Sequence, residues 1–363
     1  MESNENSIVT KNVLRSRNLR GYSFTTDYVY KARDEGKLLT LRLDTNNNCN
    51  IACKYCYSAP QRTAAAQQMS REMLKSVIDQ AYELGLESVV YLGGGEPLMY
   101  RDFWWFMEYL HSINVIPVVF TNGTLITRRA AEDMYQLGVS VIIKFDGFEK
   151  TQDFLTQPGT YQKIQLALND LLESGYGAPN ETGDTRIGAA PCACVYNVDE
   201  IPEIWRLLRK KGVYPNVERA TNIGNAKVSN MMLSNEQTAQ LYKTLSEIDK
   251  NEFGINWESP YSGYPAHSCF ISLVGCHIKA DGGIALCSEF DSFANVTEKP
   301  LAEVLKGDLF QKVRYSEKYL CDPCSSCDYL RTCLGGCRSK CFTGTGDIFG
   351  YDPSCVLCKA QAM

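Results

Sequence analysis

The hydrophobic and polar positions of the chain follow two different patterns, and the change falls near residue 230. Between residues 38 and 218, short apolar runs alternate with stretches in which apolar residues recur every three or four positions. The runs predict buried strands, and the periodic stretches predict amphipathic helices. Strands are predicted at 39–44, 88–92, 116–120, 139–145, 187–195 and 213–218, and helices at 70–84, 103–111, 128–137, 161–174 and 201–211.

Strands that alternate with helices in this way favour an α/β fold with a parallel sheet and helical crossovers. The number of units predicts a partial (β/α)6 TIM-like barrel over residues 38–230. Local signals agree with the element boundaries, since Ser70 is a suitable N-cap and Gly85 a suitable stop for the helix between them.

The flanking segments have a different character. Residues 1–37 are polar, lack clear periodicity and predict a partly ordered lead-in. Residues 231–268 predict a linker helix at 235–250 and a connection. Residues 269–363 contain eleven of the sixteen cysteines, with short apolar runs. We expect this last domain to build little core and to be held by metal.

Composition narrows the class of protein further. The chain has 363 residues, 44% of them hydrophobic, which is enough for a large core and a smaller domain. A net charge of −5 disfavours a nucleic-acid partner. The polar, acidic start and the lack of a long apolar run predict neither a signal peptide nor a membrane partner, and hence a cytoplasmic protein.

The cysteines carry the candidate chemistry. Sixteen cysteines in a chain predicted to stay in a reducing compartment favour metal or redox chemistry over disulfides. Three of them, Cys49, Cys53 and Cys56, follow the first predicted strand with spacings of x3 and x2. A four-iron cluster takes four ligands, so three thiolates leave one iron open, as catalytic sites do. A zinc knuckle and a chance cluster are the alternatives.

This spacing, with Tyr55 before the third cysteine, resembles the signature of the radical S-adenosylmethionine (SAM) superfamily. The resemblance implies that SAM chelates the fourth iron and is cleaved by an electron to a 5′-deoxyadenosyl radical, with Tyr55 on the adenine. After the second strand, residues 93–97 read Gly-Gly-Gly-Glu-Pro and are similar to the family's GGEP motif. By that resemblance, Gly94, Gly95 and Glu96 bind the amino group of SAM; a plain tight turn is the alternative.

Further candidates follow later strands, where a parallel barrel places its ligands. Asn122, Asp146 and Asn197 are predicted to bind SAM by the same resemblance. Family members often carry a serine two residues before the Asp-Gly turn, and this chain has Lys144 there. Our hypothesis is that Lys144 supplies a cation for the SAM carboxylate. The alternative is a lysine whose ammonium group reaches solvent at the barrel rim.

The fifth predicted strand contains Cys192 and Cys194. Positions i and i+2 of a strand face the same side, so both thiols are predicted to face the barrel interior. There they are candidate hydrogen-atom donors to a substrate radical, as in radical SAM epimerases. The alternative is a pair of small buried hydrophobic residues.

The C-terminal cysteines resemble the SPASM domain that many radical SAM enzymes carry, with Gly282 five residues before Cys287. The resemblance implies two auxiliary four-iron clusters. The first would be ligated by Cys269, Cys276, Cys287 and Cys337, and the second by Cys324, Cys327, Cys333 and Cys355. Swapped ligation by Cys321 or Cys358 stays open, as does the role of Cys341. A zinc ribbon over Cys324–Cys337 is the competing interpretation.

Together these resemblances predict a radical SAM oxidoreductase with three [4Fe–4S] clusters and SAM, served by an external reductant such as flavodoxin or ferredoxin. We expect oxidation or cross-linking of a peptide; the alternative is a dehydrogenase or epimerase of a sugar, cyclitol or tetrapyrrole precursor. Sulfatase-maturing relatives have a catalytic Asp directly after the equivalent of Cys287. Here Ser288 stands there and Glu289 follows, so Glu289 is the nearest candidate. A non-enzymatic electron-transfer or metal-storage protein is the third class.

Overall fold

The computed structural model describes residues 18–58, 67–177, 184–257 and 269–355. The strands are β1 Thr40–Leu43, β2 Ser88–Tyr91, β3 Ile116–Thr121, β4 Ser140–Ile143, β5 Ile187–Ala189, β6 Cys192–Ala193, β7 Tyr214–Pro215, β8 Glu218–Arg219, β9 Gly275–Ile278, β10 Gly283–Ala285 and β11 Ala294–Asn295. The helices are α1 Thr26–Asp34, α2 Arg71–Glu83, α3 Phe103–Ser112, α4 Arg128–Gln136, α5 Glu149–Leu155, α6 Thr160–Leu171, α7 Ile201–Lys210, α8 Gly224–Ser229, α9 Asn235–Ile248, α10 Ile271–Val274, α11 Leu301–Leu305, α12 Asp308–Arg314, α13 Leu330–Cys333 and α14 Arg338–Thr345.

The predicted α/β partial barrel is confirmed. Within the described residues, one nine-stranded sheet has the order β11-β10-β9-β1-β2-β3-β4-β5-β7. Strands β1 to β5 and β7 run parallel, for example with Leu41 beside Val89. The Ser70 hydroxyl accepts from the Met73 amide at 3.2 Å and begins α2, and Gly85 follows that helix with φ +94°.

Two predicted strands are each divided in two. The segment 187–195 forms β5 and β6, and 213–218 contributes β7 and the first residue of β8. Proline at Pro191 has no amide hydrogen for a ladder, so the pairing is interrupted there. Beyond it, β6 pairs with β8 in a separate two-stranded sheet.

The lead-in has more structure than its polar sequence predicts, over the part of it that is described. Leu19 is fully buried inside the barrel beside Val118 and Ile142. The helix α1 buries Val29 and Ala32 against α10 near the C-terminal region. Residues 18–37 are thus ordered, and residues 1–17 lie outside the described chain, so the partly ordered lead-in over residues 1–37 stays a prediction.

The C-terminal region also shares the barrel core, against our expectation of little core there. Strand β9 pairs in parallel with β1, and Ile284 and Phe310 join the main hydrophobic cluster together with Leu41. Local periodicity missed this because each apolar run is short and buries itself against another part of the chain. The boundaries at 230 and 268 remain predictions. Over the described ranges, no helix is both long and apolar enough to cross a membrane.

Candidate functional site

A single pocket lies at the carboxyl ends of the barrel strands, where the loops after β1, β2, β3 and β4 meet. The C-terminal region closes one side of it, through Ser288 and Lys340. Eleven of the residues predicted from the sequence line it: Cys49, Cys53, Tyr55, Cys56, Gly95, Glu96, Asn122, Lys144, Cys192, Glu289 and Cys337.

The loop that carries the first three cysteines is bound to the glycine loop. The Gly95 amide donates to the Asn46 carbonyl at 2.8 Å, and the Glu96 amide donates to the Asn48 carbonyl at 2.6 Å. A Cβ atom on Gly95 would lie 1.9 Å from the Asn48 oxygen, and one on Gly94 would lie 2.8 Å from the Asn46 oxygen. These glycines therefore allow the cysteine loop itself to approach their backbone closely. The sequence predicted instead that Gly94 and Gly95 bind the amino group of SAM.

The first three cysteines fit an iron–sulfur cluster chemically. Cys53 and Cys56 are buried and Cys49 is half-buried, and Asn122 Nδ2 lies 3.8 Å from Cys49 Sγ. Burial raises the pKa of Cys53 to about 12, with Asp146 adding to the effect. A cation is needed to ionise such a thiol, and bound metal supplies one.

The donor set does not converge on one point. Among the described residues, no three His, Cys, Asp or Glu side chains are arranged to hold a single metal ion. A four-iron cluster instead takes one thiolate at each iron. The three cysteines of the first loop line the pocket and supply thiolates for three of the four irons.

Glu96 is a buried carboxyl group with local donors on both oxygens. Oε1 accepts from the Thr121 hydroxyl at 2.6 Å and Oε2 from the Asn122 amide at 2.8 Å. Burial raises the pKa of Glu96 to about 7, although these hydrogen bonds favour the ionised form. The side chain is thus positioned by the next strand end, with remaining acceptor capacity toward the pocket.

Lys144 lies in the pocket beside two other predicted residues. Its Nζ is 3.8 Å from Asp146 Oδ1 and 5.3 Å from the ring centre of Tyr55. Burial lowers the pKa of Lys144, but the carboxylates of Asp146 and Glu218 raise it by more, so the ammonium stays charged. Lys144 therefore forms an ion pair with Asp146 at the pocket wall, and its ammonium group does not extend to solvent.

Asp146 and Asn197 serve as connectors beneath the pocket. Asp146 accepts from the Tyr55 hydroxyl and from the Cys192 amide at 2.7 Å. Asn197 Nδ2 donates to the Asp146 carbonyl at 2.7 Å. Neither Asp146 nor Asn197 is among the described residues that line the pocket. The contacts observed are ones that position Tyr55 and Cys192, and direct binding of SAM by Asp146 and Asn197 stays a prediction.

The two strand cysteines separate. Both belong to one buried apolar cluster with Leu155 and Met231, but Cys192 also lines the pocket and Cys194 does not. The alternation of a strand does not extend that far because β6 ends at Ala193 and the Cys194 amide donates to Asn197 Oδ1 at 2.8 Å. The prediction that both thiols face the interior is wrong for Cys194, which matches the alternative of a small buried hydrophobic residue.

Several charged pocket residues were missed by the sequence analysis. Arg42, Glu218 and Arg219 come from β1 and β8, and Lys340 comes from α14. Arg42 carried a usable signal, since it is the charged residue within an apolar run predicted to be a buried strand. Glu218 carried one too, as the last residue of the strand predicted at 213–218, whereas Arg219 lies just beyond that strand and the helix of Lys340 was not predicted.

The auxiliary cysteines form two neighbourhoods. In the first, Arg42 Nη2 lies 3.8 Å from Cys269 Sγ, and burial raises the pKa of Cys287, with contributions from Glu289 and Cys337. In the second, burial raises the pKa of Cys333 to about 12, with Cys355 and Cys324 adding to it.

The remaining C-terminal cysteines are placed as follows. Cys327 is half-buried and its carbonyl accepts from Leu330 at the start of α13. Cys321 is exposed and Cys341 is buried. Cys276 lies in the main hydrophobic core, and Cys287 packs against that core. The alternative ligand Cys358 lies outside the described residues.

Comparison with known proteins identifies two regions of the chain. The radical SAM superfamily matches residues 44–188, and the SPASM iron–sulfur cluster-binding domain matches residues 269–328. The chain is 29% identical to the mycofactocin maturase MftC of Mycolicibacterium smegmatis, covering 85% of this chain and 80% of that protein. It is 25% identical to an Fe-coproporphyrin III synthase of Methanosarcina barkeri, covering 86% of each.

A solved structure agrees at the level of the fold. Streptococcus suis SuiB bound to S-adenosylmethionine matches with a TM-score of 0.68 at 18% identity, over 91% of this chain and 80% of that one. The fold and pocket define a partial-barrel protein with a cysteine-bearing loop after its first strand. The chain carries a radical SAM domain at residues 44–188 and a SPASM iron–sulfur cluster-binding domain at residues 269–328.

Proposed function

We propose that the protein is a radical SAM maturase that oxidises or cross-links a peptide at an unactivated C–H bond. The observation that carries this proposal is the shared pocket: the three cysteines of the first loop, the Glu96 carboxylate and Cys337 of the SPASM region all line it. Bound at Cys49, Cys53 and Cys56, a [4Fe–4S] cluster supplies the electron that cleaves SAM to a 5′-deoxyadenosyl radical.

The chain's own residues hold and orient SAM in this proposal. Glu96 accepts hydrogen bonds from the SAM ammonium. The Asn122 amide supports this role, because it donates to the Glu96 carboxylate and so holds it in position. Lys144 pairs with the SAM carboxylate. The ring of Tyr55 lines the same pocket, and its centre lies 5.3 Å from Lys144 Nζ. The surrounding barrel core excludes water, which strengthens each of these charged contacts.

Two auxiliary [4Fe–4S] clusters, which bring the total to three, complete the proposal. The first lies next to the pocket, since Cys337 lines it, and the second lies among Cys324, Cys327, Cys333 and Cys355. Their role is to accept the electron that remains on the substrate radical, giving a net oxidation. Such an oxidoreductase needs an external donor for the first electron, and we assign flavodoxin or ferredoxin to that step.

A peptide substrate is supported by the surface beside the pocket. Phe148, Phe154 and Tyr196 are exposed large aromatic residues, and Phe154 and Tyr196 contact each other with ring centres 5.1 Å apart. The cysteine loop adjoins them, because the Lys54 amide donates to the Leu155 carbonyl at 2.9 Å. Side chains of this kind bind an extended peptide outside a catalytic cavity. The mycofactocin maturase at 29% identity points the same way.

A tetrapyrrole is the second candidate substrate, and one observation favours it. Several relatives at 24% to 25% identity are named AdoMet-dependent heme synthase or Fe-coproporphyrin III synthase. The maturase has the higher identity, 29% against 24% to 25%, and the exposed aromatic residues next to the cysteine loop suit a peptide, so the peptide leads.

The test is anaerobic iron and sulfide quantification together with SAM cleavage, for the wild type and for the Cys49/Cys53/Cys56→Ala triple variant. We expect about twelve irons in the wild type and about eight in the variant, since each cluster holds about four, with 5′-deoxyadenosine formed by the wild type alone. A peptide encoded near the gene should then lose hydrogen atoms in step with 5′-deoxyadenosine. Consumption of iron coproporphyrin III without any peptide change would favour the tetrapyrrole, and equal 5′-deoxyadenosine from the triple variant would exclude radical SAM chemistry.

A further inference from the structure

The strand β9 presents its two central residues to opposite faces of the sheet. In its pairing with β1, His277 lies beside Arg42 and Cys276 beside Leu41. Neighbouring residues of a strand point to opposite sides, and paired residues point to the same side. A contact agrees with this placement of His277 on the same side as Arg42: its Nε2 lies 3.1 Å from Oδ2 of Asp44, two residues after Arg42. Arg42 lines the pocket, so Cys276 points away from the pocket side.

The contacts of Cys276 agree with that orientation. The side chain is fully buried in the main hydrophobic cluster, together with Leu41, Ile278 and Val313. The charged group that acts on it is Arg314, at the end of α12 on the helix-covered face. This is the environment of a small core residue.

The other three cysteines of the set lie on the pocket side and are linked to each other. Arg42 Nη2 is 3.8 Å from Cys269 Sγ, and Arg42 also interacts electrostatically with Cys287. Cys287 interacts in turn with Cys337, which lines the pocket. The strand register therefore places Cys276 on the side of the sheet opposite Arg42. The other three thiols group around Arg42 and the pocket, and Cys287 also packs against the edge of the main cluster.

Resting on the proposed three-cluster function, we infer that Cys276 is not a cluster ligand and that Cys269, Cys287 and Cys337 hold the first auxiliary cluster with three thiolates. The coordination position without a thiolate would be open to the pocket that Cys337 lines together with Cys49, Cys53 and Cys56. An iron without a thiolate takes an oxygen, nitrogen or sulfur donor.

The charges around that position select a carboxylate. Arg42, Arg219 and Lys340 line this side of the pocket and favour an anionic donor. One such group belongs to the chain: Glu289 lines the pocket and interacts with both Cys287 and Cys337. A carboxylate of the substrate is the other source. The ligand class is the same in both cases.

The ligand set is tested by iron and sulfide content of the full-length, anaerobically reconstituted protein. We compare Cys276→Ala and Cys276→Val with Cys287→Ala, and check that each variant keeps the wild-type circular dichroism spectrum. Both Cys276 variants should keep about twelve irons, while Cys287→Ala falls to about eight because it loses one cluster of about four. Since two replacements of different volume are used, a packing defect of one of them does not decide the result.

Three outcomes count against the proposal, and they are distinguishable. A fall to about eight irons in both folded Cys276 variants, from a wild type of about twelve, would make Cys276 a ligand. A similar fall in Cys341→Ala would show that Cys341 supplies the fourth thiolate, so that the cluster has no open position. A wild-type content of about four would instead overturn the three-cluster proposal itself.

The carboxylate is tested by electron paramagnetic resonance and electron–nuclear double resonance in the Cys49/Cys53/Cys56→Ala background, with ¹³C-acetate as the probe. If Glu289 is the ligand, Glu289→Gln shifts the auxiliary signal and ¹³C coupling appears only in that variant. If the substrate supplies the carboxylate, Glu289→Gln leaves the auxiliary signal unchanged, and ¹³C coupling appears even in the background that retains Glu289. An absence of ¹³C coupling in both backgrounds overturns the carboxylate site.

Discussion

Gly95 and Asn48 are in backbone contact at the point where the two SAM-related loops meet. The amide of the next residue, Glu96, donates to the Asn48 carbonyl at 2.6 Å, and the space of a Gly95 Cβ is occupied, since that atom would lie 1.9 Å from the Asn48 oxygen. The position of the Cys49 thiol is therefore coupled to the backbone of the glycine loop. A substitution in one loop should be detected in the metal content of the other.

We expect Gly95→Ala to lower iron content by about four per chain, because the methyl group displaces Asn48 and the cluster needs all three neighbouring thiolates. Iron and sulfide analysis of the reconstituted variant measures this. Gly177→Ala is the matched control: its nearest contact is the flexible Leu172 side chain, with 3.2 Å to Cδ2, and it should keep the full content. Unchanged iron in Gly95→Ala would show that the two loops move independently.

The raised pKa of Glu96, about 7, predicts a pH dependence of SAM binding. The ammonium of SAM pairs with the ionised carboxylate, and the ionised fraction rises from about one tenth at pH 6 to about nine tenths at pH 8. Affinity should therefore increase by roughly tenfold over this interval. Equilibrium dialysis with labelled SAM measures it.

Glu96→Gln is the control for that pH profile. It keeps the size and the acceptor oxygen of the side chain but cannot ionise, so SAM affinity should be low and nearly constant from pH 6 to pH 8. An equally steep profile in Glu96→Gln would assign the titration to another group.

Lys144→Ala should weaken SAM binding about tenfold, or about 1.4 kcal/mol, through loss of the cation for the SAM carboxylate. The charge of Lys144 is secured by Asp146, at 3.8 Å, so the effect should be present throughout the neutral pH range. Lys150→Ala, at an exposed position of α5, should leave the affinity unchanged. If the two variants bind SAM equally well, Lys144 is only a partner of Asp146.

The strand and helix pattern was predictable because each barrel unit buries its own apolar residues against its neighbours. Helix α2, for example, has its N-cap at Ser70 as expected. The course of the C-terminal region was not predictable, since the pairing of Cys276 with Leu41 joins residues more than two hundred positions apart. The same limit applies to Leu19, whose burial inside the barrel depends on strands far along the chain.

The candidate site divides in the same way. Residues that directly follow a strand, such as Glu96 and Lys144, were found from the sequence because strand ends converge on one place. The separation of Cys192 from Cys194 was not, because it depends on where β6 ends. Nor was the placement of Cys276, since spacing alone counts thiols without giving the face of the sheet on which each one lies.

Stability should depend strongly on one buried ion pair away from the pocket. Asp249 accepts from Arg209 at 2.7 Å, and from the indoles of Trp205 and Trp257 at 2.7 Å and 2.8 Å. Asp249→Ala removes the carboxylate that neutralises the buried guanidinium of Arg209, which should cost about 3–5 kcal/mol in the free energy of unfolding. Chemical denaturation measures this, with Glu247→Ala of the exposed Lys243 pair expected within about 0.5 kcal/mol of wild type. A small effect of Asp249→Ala would mean that water solvates Arg209.

The role of Cys192 separates oxidation from epimerisation. Its thiol lines the pocket, and a hydrogen-atom donor there would carry solvent deuterium into the product when the reaction runs in D2O. Because we propose a net oxidation, we expect product without solvent deuterium, and we expect Cys192→Ala to retain product formation within about twofold, since a small apolar wall residue is replaced by another. Mass spectrometry of the peptide measures both. Cys194→Ala, buried away from the pocket, is the control for packing. Deuterium in the product, together with loss of product in Cys192→Ala alone, would instead make Cys192 the donor and the protein an epimerase.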